Sequence, residues 1–259
     1  MAARSIWNGT LNFGLVKVPV KLYSATESHT IRFREVHAKD GAPLEHRRMC
    51  SAEDKEVEYG EIVKGYEVDE DEYLVLDPEE IKAAAGDRGK VVNLDEFVDA
   101  EDIDPVFFEK TYYAGFRDDP EPYALLQSAL EKSEKAGIGR FSFHKREYLV
   151  AVRSREGVIT LHTLKFHDEV VRGEELKVPA AKKAPSKKEI SMADKLIEGL
   201  KEPFDPGQYK DEYKAAVENL IEAKAKGSKP RLDKAKKRST PDDLGSALEA
   251  SLEAQGAKS

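Results

Sequence analysis

Large apolar residues change parity early in the chain. Trp7, Leu11 and Phe13 fall on odd positions, whereas Val16, Val18, Val20 and Leu22 alternate on even positions with Lys17, Pro19 and Lys21. Alternation with period two marks half-buried strands, and a switch of parity requires a turn or bulge, here at Gly14. Proline and lysines on the outward face of the second strand give it the pattern of a wet sheet edge. Up to about residue 178 the same reading yields mainly short β segments with a few helices. Leu74 to Leu76 ends a strand and leads into a helix with Asp77 at the N-cap, Pro78 at N1 and Glu80 at N3. Val91 to Val98 reads as a strand. Asp119-Pro120-Glu121-Pro122 opens the longest helix of this region, with Tyr123, Leu126 and Leu130 inward and Gly137 as the expected stop. Ile138 to His144, Tyr148 to Arg153 and Val158 to Phe166 then form a meander. In its first strand Phe141 and Phe143 alternate with Arg140, Ser142 and His144.

Composition shifts at Pro179, where Ala180-Ala181-Lys182-Lys183-Ala184-Pro185 has the character of a linker. Ser186 and Glu189 form a capping box for a helix bearing Ile190, Ala193, Ile197 and Leu200, which Pro203 ends. A second helix is expected from Asp205-Pro206, with Tyr209, Tyr213, Val217, Leu220 and Ile221 at helical spacing, fraying at Gly227. The stretch from Ser228 to Ser239 is too polar and basic to fold alone. Beyond it, Thr240-Pro241-Asp242-Asp243 caps a helix with Leu244, Leu248 and Leu252 every fourth residue. A single stripe of this kind is marginal in isolation and suits docking on a partner, the alternative being a frayed tail that happens to carry leucines. Three parts result: a β core over 1–179, a helical segment over 180–226, and a basic tail with a short amphipathic helix over 227–259.

Charge sharpens this division. The 259 residues carry a net −8, with 36% charged and 40% hydrophobic residues. That charged share exceeds the usual ~25% and implies exposed arms or charged faces. Glu53 to Asp104 holds 20 Asp and Glu against 5 Lys and Arg, while Ala223 to Arg238 holds 8 Lys and Arg against Asp233 alone. One segment repels polyanions and another attracts them, so the negative sum does not exclude a nucleic-acid partner. The single cysteine, Cys50, excludes an internal disulfide and fits a reducing cytoplasm. No apolar run approaches the ~18 residues of a membrane span, and the expectation is a cytoplasmic protein without a membrane partner.

Catalytic motifs are missing from the sequence. It has no phosphate-binding glycine loop with lysine, no His-Glu-x-x-His helix and no Gly-x-Ser-x-Gly elbow, so neither an enzyme nor a cofactor is expected. The acidic run Asp69-Glu70-Asp71-Glu72 suggests a metal-dependent nuclease as a rival, against which stands the rule that consecutive carboxylates in a turn seldom converge on one ion. Cys50 with His46 is the remaining candidate for a metal ligand pair or a nucleophile, whereas His29, His37, His144, His162 and His167 show no ligand spacing and read as ordinary strand or loop residues, and no metal site is expected.

The opening Ser5-Ile6-Trp7, Gly9 and Phe13-Gly14-Leu15-Val16 with Val18-Pro19-Val20 closely resembles prokaryotic Ku, the DNA end-binding family of bacterial non-homologous end joining. Similarity continues in order through Ile62 to Glu67, Phe97-Val98, Ile103-Asp104-Pro105, Tyr112-Tyr113, Tyr123 to Leu126, Arg146 to Leu149, Thr163-Leu164, Met192-Ala193 and Tyr209 to Tyr213. The resemblance implies a β-barrel core with an arching arm, two copies of which close a ring-forming homodimer that threads onto a double-stranded DNA end. It also implies recruitment of the ATP-dependent DNA ligase D through the C-terminal portion, and association with the nucleoid. Many relatives carry Cys-x-x-Cys where this chain reads Cys50-Ser51-Ala52-Glu53, so the second thiolate is gone and Cys50 reads as structural.

On that basis, basic residues in loop or wall positions are the candidates for DNA contact: Arg32, Arg34, Arg47, Arg48, Lys64, Arg140, Lys145, Arg146, Arg153 and Arg155. Lys229, Arg231, Lys234, Lys236, Lys237 and Arg238 in the tail add a nonspecific, salt-sensitive contribution. Leu244, Leu248 and Leu252 are the candidates for partner docking. For the strand arginines the competing reading is ordinary surface charge. Tyr112, Tyr113 and Phe116 suit either a dimer contact or the barrel interior. The runner-up for the whole chain is a structural DNA-coating protein held mainly by its basic tail.

Overall fold

The computed structural model describes residues 4–85, 90–143, 146–176, 184–228 and 244–256. The chain divides into two compact units, Met1–His29 with Phe33–Glu175, and Thr30–Arg32 with Leu176–Ser259.

Seven strands of the first unit close into a barrel: β1 (Trp7–Phe13), β2 (Val16–Ser24), β7 (Val91–Asp99), β8 (Phe108–Phe116), β9 (Lys135–Phe143), β10 (Arg146–Arg155) and β11 (Val158–Leu164). Their order around the barrel is β1-β2-β8-β11-β10-β9-β7. The expected hairpin forms, with Phe13 opposite Val16 and Gly14 at φ 57° supplying the turn. β2 is not an edge, however, because residues Val20 to Ser24 pair with Phe116 to Tyr112 of β8. The wet-edge pattern reflects only the strand's first half, where the β8 ladder ends at Val20 and a last bond runs from Arg117 N to Pro19 O at 3.1 Å.

Alternation then builds the core. Leu11, Val18, Val20, Leu22, Val92, Leu94, Tyr112, Phe141, Val150, Val152, Ile159 and Leu161 form one buried cluster. Leu126 and Leu130 of helix α2 (Pro120–Ser133) enter the same cluster, so this helix packs its inner face onto the barrel interior. Asp119 caps it by accepting from Glu121 N at 3.0 Å. The helix ends earlier than Gly137: Glu134 adopts the left-handed conformation at φ 55°, and Gly137 lies within β9. A second cluster, Ala136, Ala151 and Leu164 with Val98, Ile103, Phe107, Phe108, Ile138 and Leu149, covers part of the outer wall with the 98–108 segment.

Closure comes from a parallel pairing of β1 with β7, Thr10 to Phe13 against Val91 to Leu94. Two glycines allow β7 to be approached from both sides. A Cβ on Gly9 would lie 2.3 Å from Lys90 O, and one on Gly139 would lie 2.1 Å from Asn93 O. Between β2 and β7 the chain makes two short ribbons, β3 (Met49–Cys50) with β4 (Lys55–Glu56) and β5 (Lys64–Asp69) with β6 (Glu72–Leu76). Helix α1 (Pro78–Ala85) follows with the expected cap, Glu79 N donating to Asp77 Oδ1 at 2.7 Å and Asp77 N to Glu80 Oε2 at 3.0 Å.

The second unit contains α3 (Lys187–Gly199), α4 (Glu212–Ala225) and α5 (Leu244–Gly256). Ser186 and Glu189 make the expected capping box. α4 starts later than Asp205-Pro206, because those residues form a separate 3₁₀ turn and Asp211 provides the cap, accepting from Lys214 N at 2.8 Å. α4 stops at the left-handed Gly227, where Gly227 N and Ser228 N donate back to Lys224 O and Ala223 O.

One side chain ties α2 to the barrel mouth. The Tyr123 hydroxyl donates to Ala114 O at 2.7 Å and accepts from Ile159 N at 3.0 Å, linking the helix to β8 and β11. Tyr123→Phe leaves a backbone donor and acceptor unpaired, and is expected to cost about 1–3 kcal/mol. Urea unfolding measures this as a lowered midpoint with unchanged slope, and an unchanged midpoint would mean that solvent replaces both bonds.

Candidate functional site

β10 carries three of the basic candidates, Arg146, Arg153 and Arg155, and alternation along it sends Val150 and Val152 inward and Arg153 and Arg155 outward. The turn Glu156-Gly157, with both residues at positive φ, fixes the hairpin register to β11: Arg155 opposite Val158, Arg153 opposite Thr160 and Ala151 opposite His162. On β11 the inward Ile159 and Leu161 leave Thr160 and His162 on the outer face. β8 lies on the far side, placing Thr111 opposite His162 and Tyr113 opposite Thr160.

These residues form a polar cluster on the outer barrel wall. Arg153 Nε donates to His162 Nε2 at 3.2 Å, and His162 Nδ1 lies 2.9 Å from Thr111 Oγ1. Nε2 also lies 3.0 Å from Thr160 Oγ1, and with Nε2 accepting from the guanidinium the imidazole proton is assigned to Nδ1, which faces Thr111. The Thr160 hydroxyl donates to Arg153 O at 3.1 Å. The guanidinium carbon stands 5.2 Å from the centre of the Phe108 ring, and Phe108 also packs edge-on against the imidazole at 5.3 Å. A groove of about 510 Å³ opens here, lined by Phe108, Thr111, Tyr113, Arg153, Arg155, Glu156, Thr160 and His162.

The electrostatics of the cluster are positive. His162 is 7% exposed. Burial, reinforced by the charges of Arg153 and Arg155, brings its pKa down to about 4. Burial and the neighbouring Arg155 also lower the pKa of Arg153. The one carboxylate lining the groove, Glu156, lies 3.6 Å from Arg155 Nε.

Other sequence candidates are spread over the surface. Arg140 is exposed on the outer face of β9 and lines a separate hollow with Asn93, Asp95, Ser142 and Glu147. Arg146, exposed at the start of β10, borders a third with Glu109, Lys165 and Glu169. Arg47 pairs with Glu56 at 3.2 Å, and Arg48 stacks 5.1 Å from the Tyr59 ring. Arg34 and Lys64 are exposed, and Arg32 belongs to the second unit. Lys145, Lys229, Arg231, Lys234, Lys236, Lys237 and Arg238 lie outside the described residues. Leu248 and Leu252 are half-buried on α5, which packs on α3 with Lys188 Nζ 3.3 Å from Glu249 Oε1, while Leu244 is exposed. Of the aromatic trio, Tyr112 belongs to the barrel core, and Tyr113 and Phe116 are exposed.

Asp69 to Glu72 forms the β5–β6 turn, with Asp71 at φ 60° and Glu70 N donating to Asp69 Oδ1 at 2.8 Å. Among the described residues no three His, Cys, Asp or Glu side chains are grouped to hold a metal ion. His46 pairs with Glu35 at 3.6 Å. None of the described helices is long and apolar enough to cross a membrane.

Sequence reasoning missed Thr111, Thr160 and His162. The Glu156-Gly157 turn was the available signal, since it sets which outward residues of β11 meet Arg153.

The lowered His162 pKa makes stability depend on pH. The folded state resists a proton that the unfolded chain accepts near the ordinary value of 6.5, so stability falls as pH drops from 6.5 towards 4 and this loss is complete below that range. His162→Gln is expected to flatten this portion of the stability profile, measured by urea midpoints across the interval. Parallel profiles for both proteins would show that the imidazole titrates normally.

Comparison with known proteins identifies the architecture. The family described as Ku, Ku70/Ku80 beta-barrel domain, matches residues 12–192. Non-homologous end joining protein Ku 2 of Saccharopolyspora erythraea is 37% identical over 253 residues, covering 95% of this chain and 80% of that protein. Non-homologous end joining protein Ku of Koribacter versatilis is 41% identical over 226 residues, covering 87% and 77% respectively. Its namesake in Solibacter usitatus is 35% identical over 257 residues, covering 99% and 96%. With a closed barrel at its centre and these identities extending over most of its length, the chain belongs to the Ku family.

Proposed function

We propose that this chain is a non-enzymatic, sequence-independent binder of double-stranded DNA ends in non-homologous end joining, acting as a ring-shaped homodimer that recruits the ATP-dependent ligase D. The observation that carries the reading is the β5–β6 ribbon. Tyr66, Val68, Tyr73, Leu74 and Val75 are each more than half exposed on it. Tyr66 lies opposite Leu74 on one face, while Tyr73 and Val75 point to the other. A lone two-stranded ribbon is marginal in water, and large exposed apolar residues on both faces call for a covering surface. A second copy of the same ribbon supplies one, and two such arms close a ring. The names of the relatives support the same pathway.

DNA contact is assigned to basic groups of the first unit, chiefly Arg140, Arg146, Arg153 and Arg155 on adjacent strands, with Arg34, Arg47, Arg48 and Lys64 nearby in sequence to the arm. Such groups hold sugar and phosphate and leave base edges unread, which gives binding without sequence preference. The helical segment over 180–226 and the tail over 227–259 take the recruiting and electrostatic roles, with Leu244, Leu248 and Leu252 assigned to the ligase.

A competition assay at near-physiological salt tests this function. A labelled linear duplex is challenged with unlabelled linear or covalently closed circular DNA of the same sequence. Threading predicts that the linear competitor displaces the label and the circle does so poorly. Equal competition would favour a coating protein, which should also lose nearly all affinity on truncation at Gly227.

A further inference from the structure

Arg153 is a half-buried charge on the barrel wall that has no carboxylate partner among the described residues. Its Nε is spent on a neutral imidazole, and among the described residues neither Nη has a protein acceptor and no carboxylate lies within 4.0 Å of the guanidinium. The group is half-buried and rests over the Phe108 ring. Holding a partly desolvated cation without a counter-charge costs stability, so a residue placed in this way awaits an anion. Its surroundings favour one. His162 gives its own proton to Thr111, so the Thr111 hydroxyl proton is left for an outside acceptor. Arg155 adds a second cation to the same groove, and Glu156 is drawn off by it at 3.6 Å. Burial first, and the charges of Arg153 and Arg155 after it, lower the pKa of His162 and keep the ring neutral as an acceptor for Arg153 at physiological pH.

We infer that this groove is a phosphate-binding notch. Arg153 presents its two Nη donors as a fork, Arg155 adds charge and Thr111 adds a hydroxyl donor. The planar guanidinium fork suits the two unesterified oxygens of one phosphate group. His162 acts as a positioning residue, holding the fork through Nε while leaving both Nη groups turned to other partners. The inference rests on the DNA reading above and refines it to one contact. The phosphate belongs either to the duplex backbone or to a 5′ end, and the two sources are separable.

Arg153→Gln, compared with the full-length wild-type chain, tests the notch in two ways. First, inorganic phosphate added in place of chloride at constant ionic strength should raise the wild-type melting temperature and leave that of Arg153→Gln unmoved, a readout independent of DNA. Without phosphate the variant should melt no lower than wild type, because the uncompensated charge is gone. Second, the slope of log affinity against log salt for linear duplex should fall in magnitude by roughly 0.9, the loss of one phosphate contact. A backbone phosphate predicts this change equally for duplexes with 5′-phosphate and 5′-hydroxyl ends. An end phosphate predicts it only for the former. Should Arg153→Gln not fold, Arg153→Lys keeps the charge without the fork. It should retain the salt slope while needing several-fold more inorganic phosphate for the same thermal shift. The notch is overturned if wild type and variant respond alike to phosphate and share one salt slope, or if Arg153→Gln only lowers the melting temperature. Failure of the DNA reading looks different: linear and circular competitors then act alike, whatever Arg153 does with inorganic phosphate.

Discussion

Everything in the first unit depends on one long-range pairing, the parallel seam between β1 and β7 that turns a curved sheet into a barrel. Hairpins account for β1–β2, β9–β10 and β10–β11, and among the longer-range pairings this parallel contact, between segments about eighty residues apart, removes both sheet edges at once. It is sterically demanding. β7 lies between β1 and β9, and Gly9 and Gly139 are the positions where the carbonyls of Lys90, just before β7, and of Asn93 within it come too close for a side chain. Once closed, the barrel has a single apolar interior, with α2 packed onto it through Leu126 and Leu130. Its outer wall is then available for chemistry, and the strand register alone decides which polar residues meet there.

Local features were readable from sequence because their causes are local. Gly14 marks the parity switch of the first hairpin, and Asp77, Asp119 and Ser186 cap helices through their own side chains. What escaped was set by distant partners. β8 hides its strand character because its buried positions are only Tyr112 and Ala114, while the aromatic Tyr113 lies on the outer face and Phe116, at the strand's end, is exposed beside Tyr123. The β5–β6 ribbon shows no clean alternation, since apolar side chains occupy both of its faces. Gly137 resembled a helix stop, yet it lies in β9 against Leu94 and Phe97, a contact that depends on β7 being there. The site behaved in the same way. Arg153 and Arg155 stood out as charges in a strand, whereas His162 gained its role only from the register that brings it beside Arg153.

The opposed charges of the chain acquire a physical sense in this arrangement. The strongly acidic block from Glu53 to Asp104 supplies the β5–β6 ribbon and the 98–108 cover of the wall. Basic side chains concentrate on β9 and β10, on a wall whose hydrogen bonds hold one arginine rigidly and leave its outer nitrogens available. On the reading proposed above, a polyanion guided to that wall would meet fixed donors there, and the acidic segments would bias it away from other surfaces. Sequence-independent affinity and defined placement are then compatible, because rigid phosphate contacts position a duplex without reading it.

Topological trapping tests the central claim, that two copies encircle a DNA end, more directly than affinity does. Protein is loaded on a linear duplex, the duplex is circularised by a separate ligase, and the complex is washed at a salt concentration that strips phosphate contacts. Encirclement predicts that protein stays on the closed circle through the wash and leaves once a restriction enzyme linearises it. Release from the intact circle as readily as from linear DNA would contradict the ring.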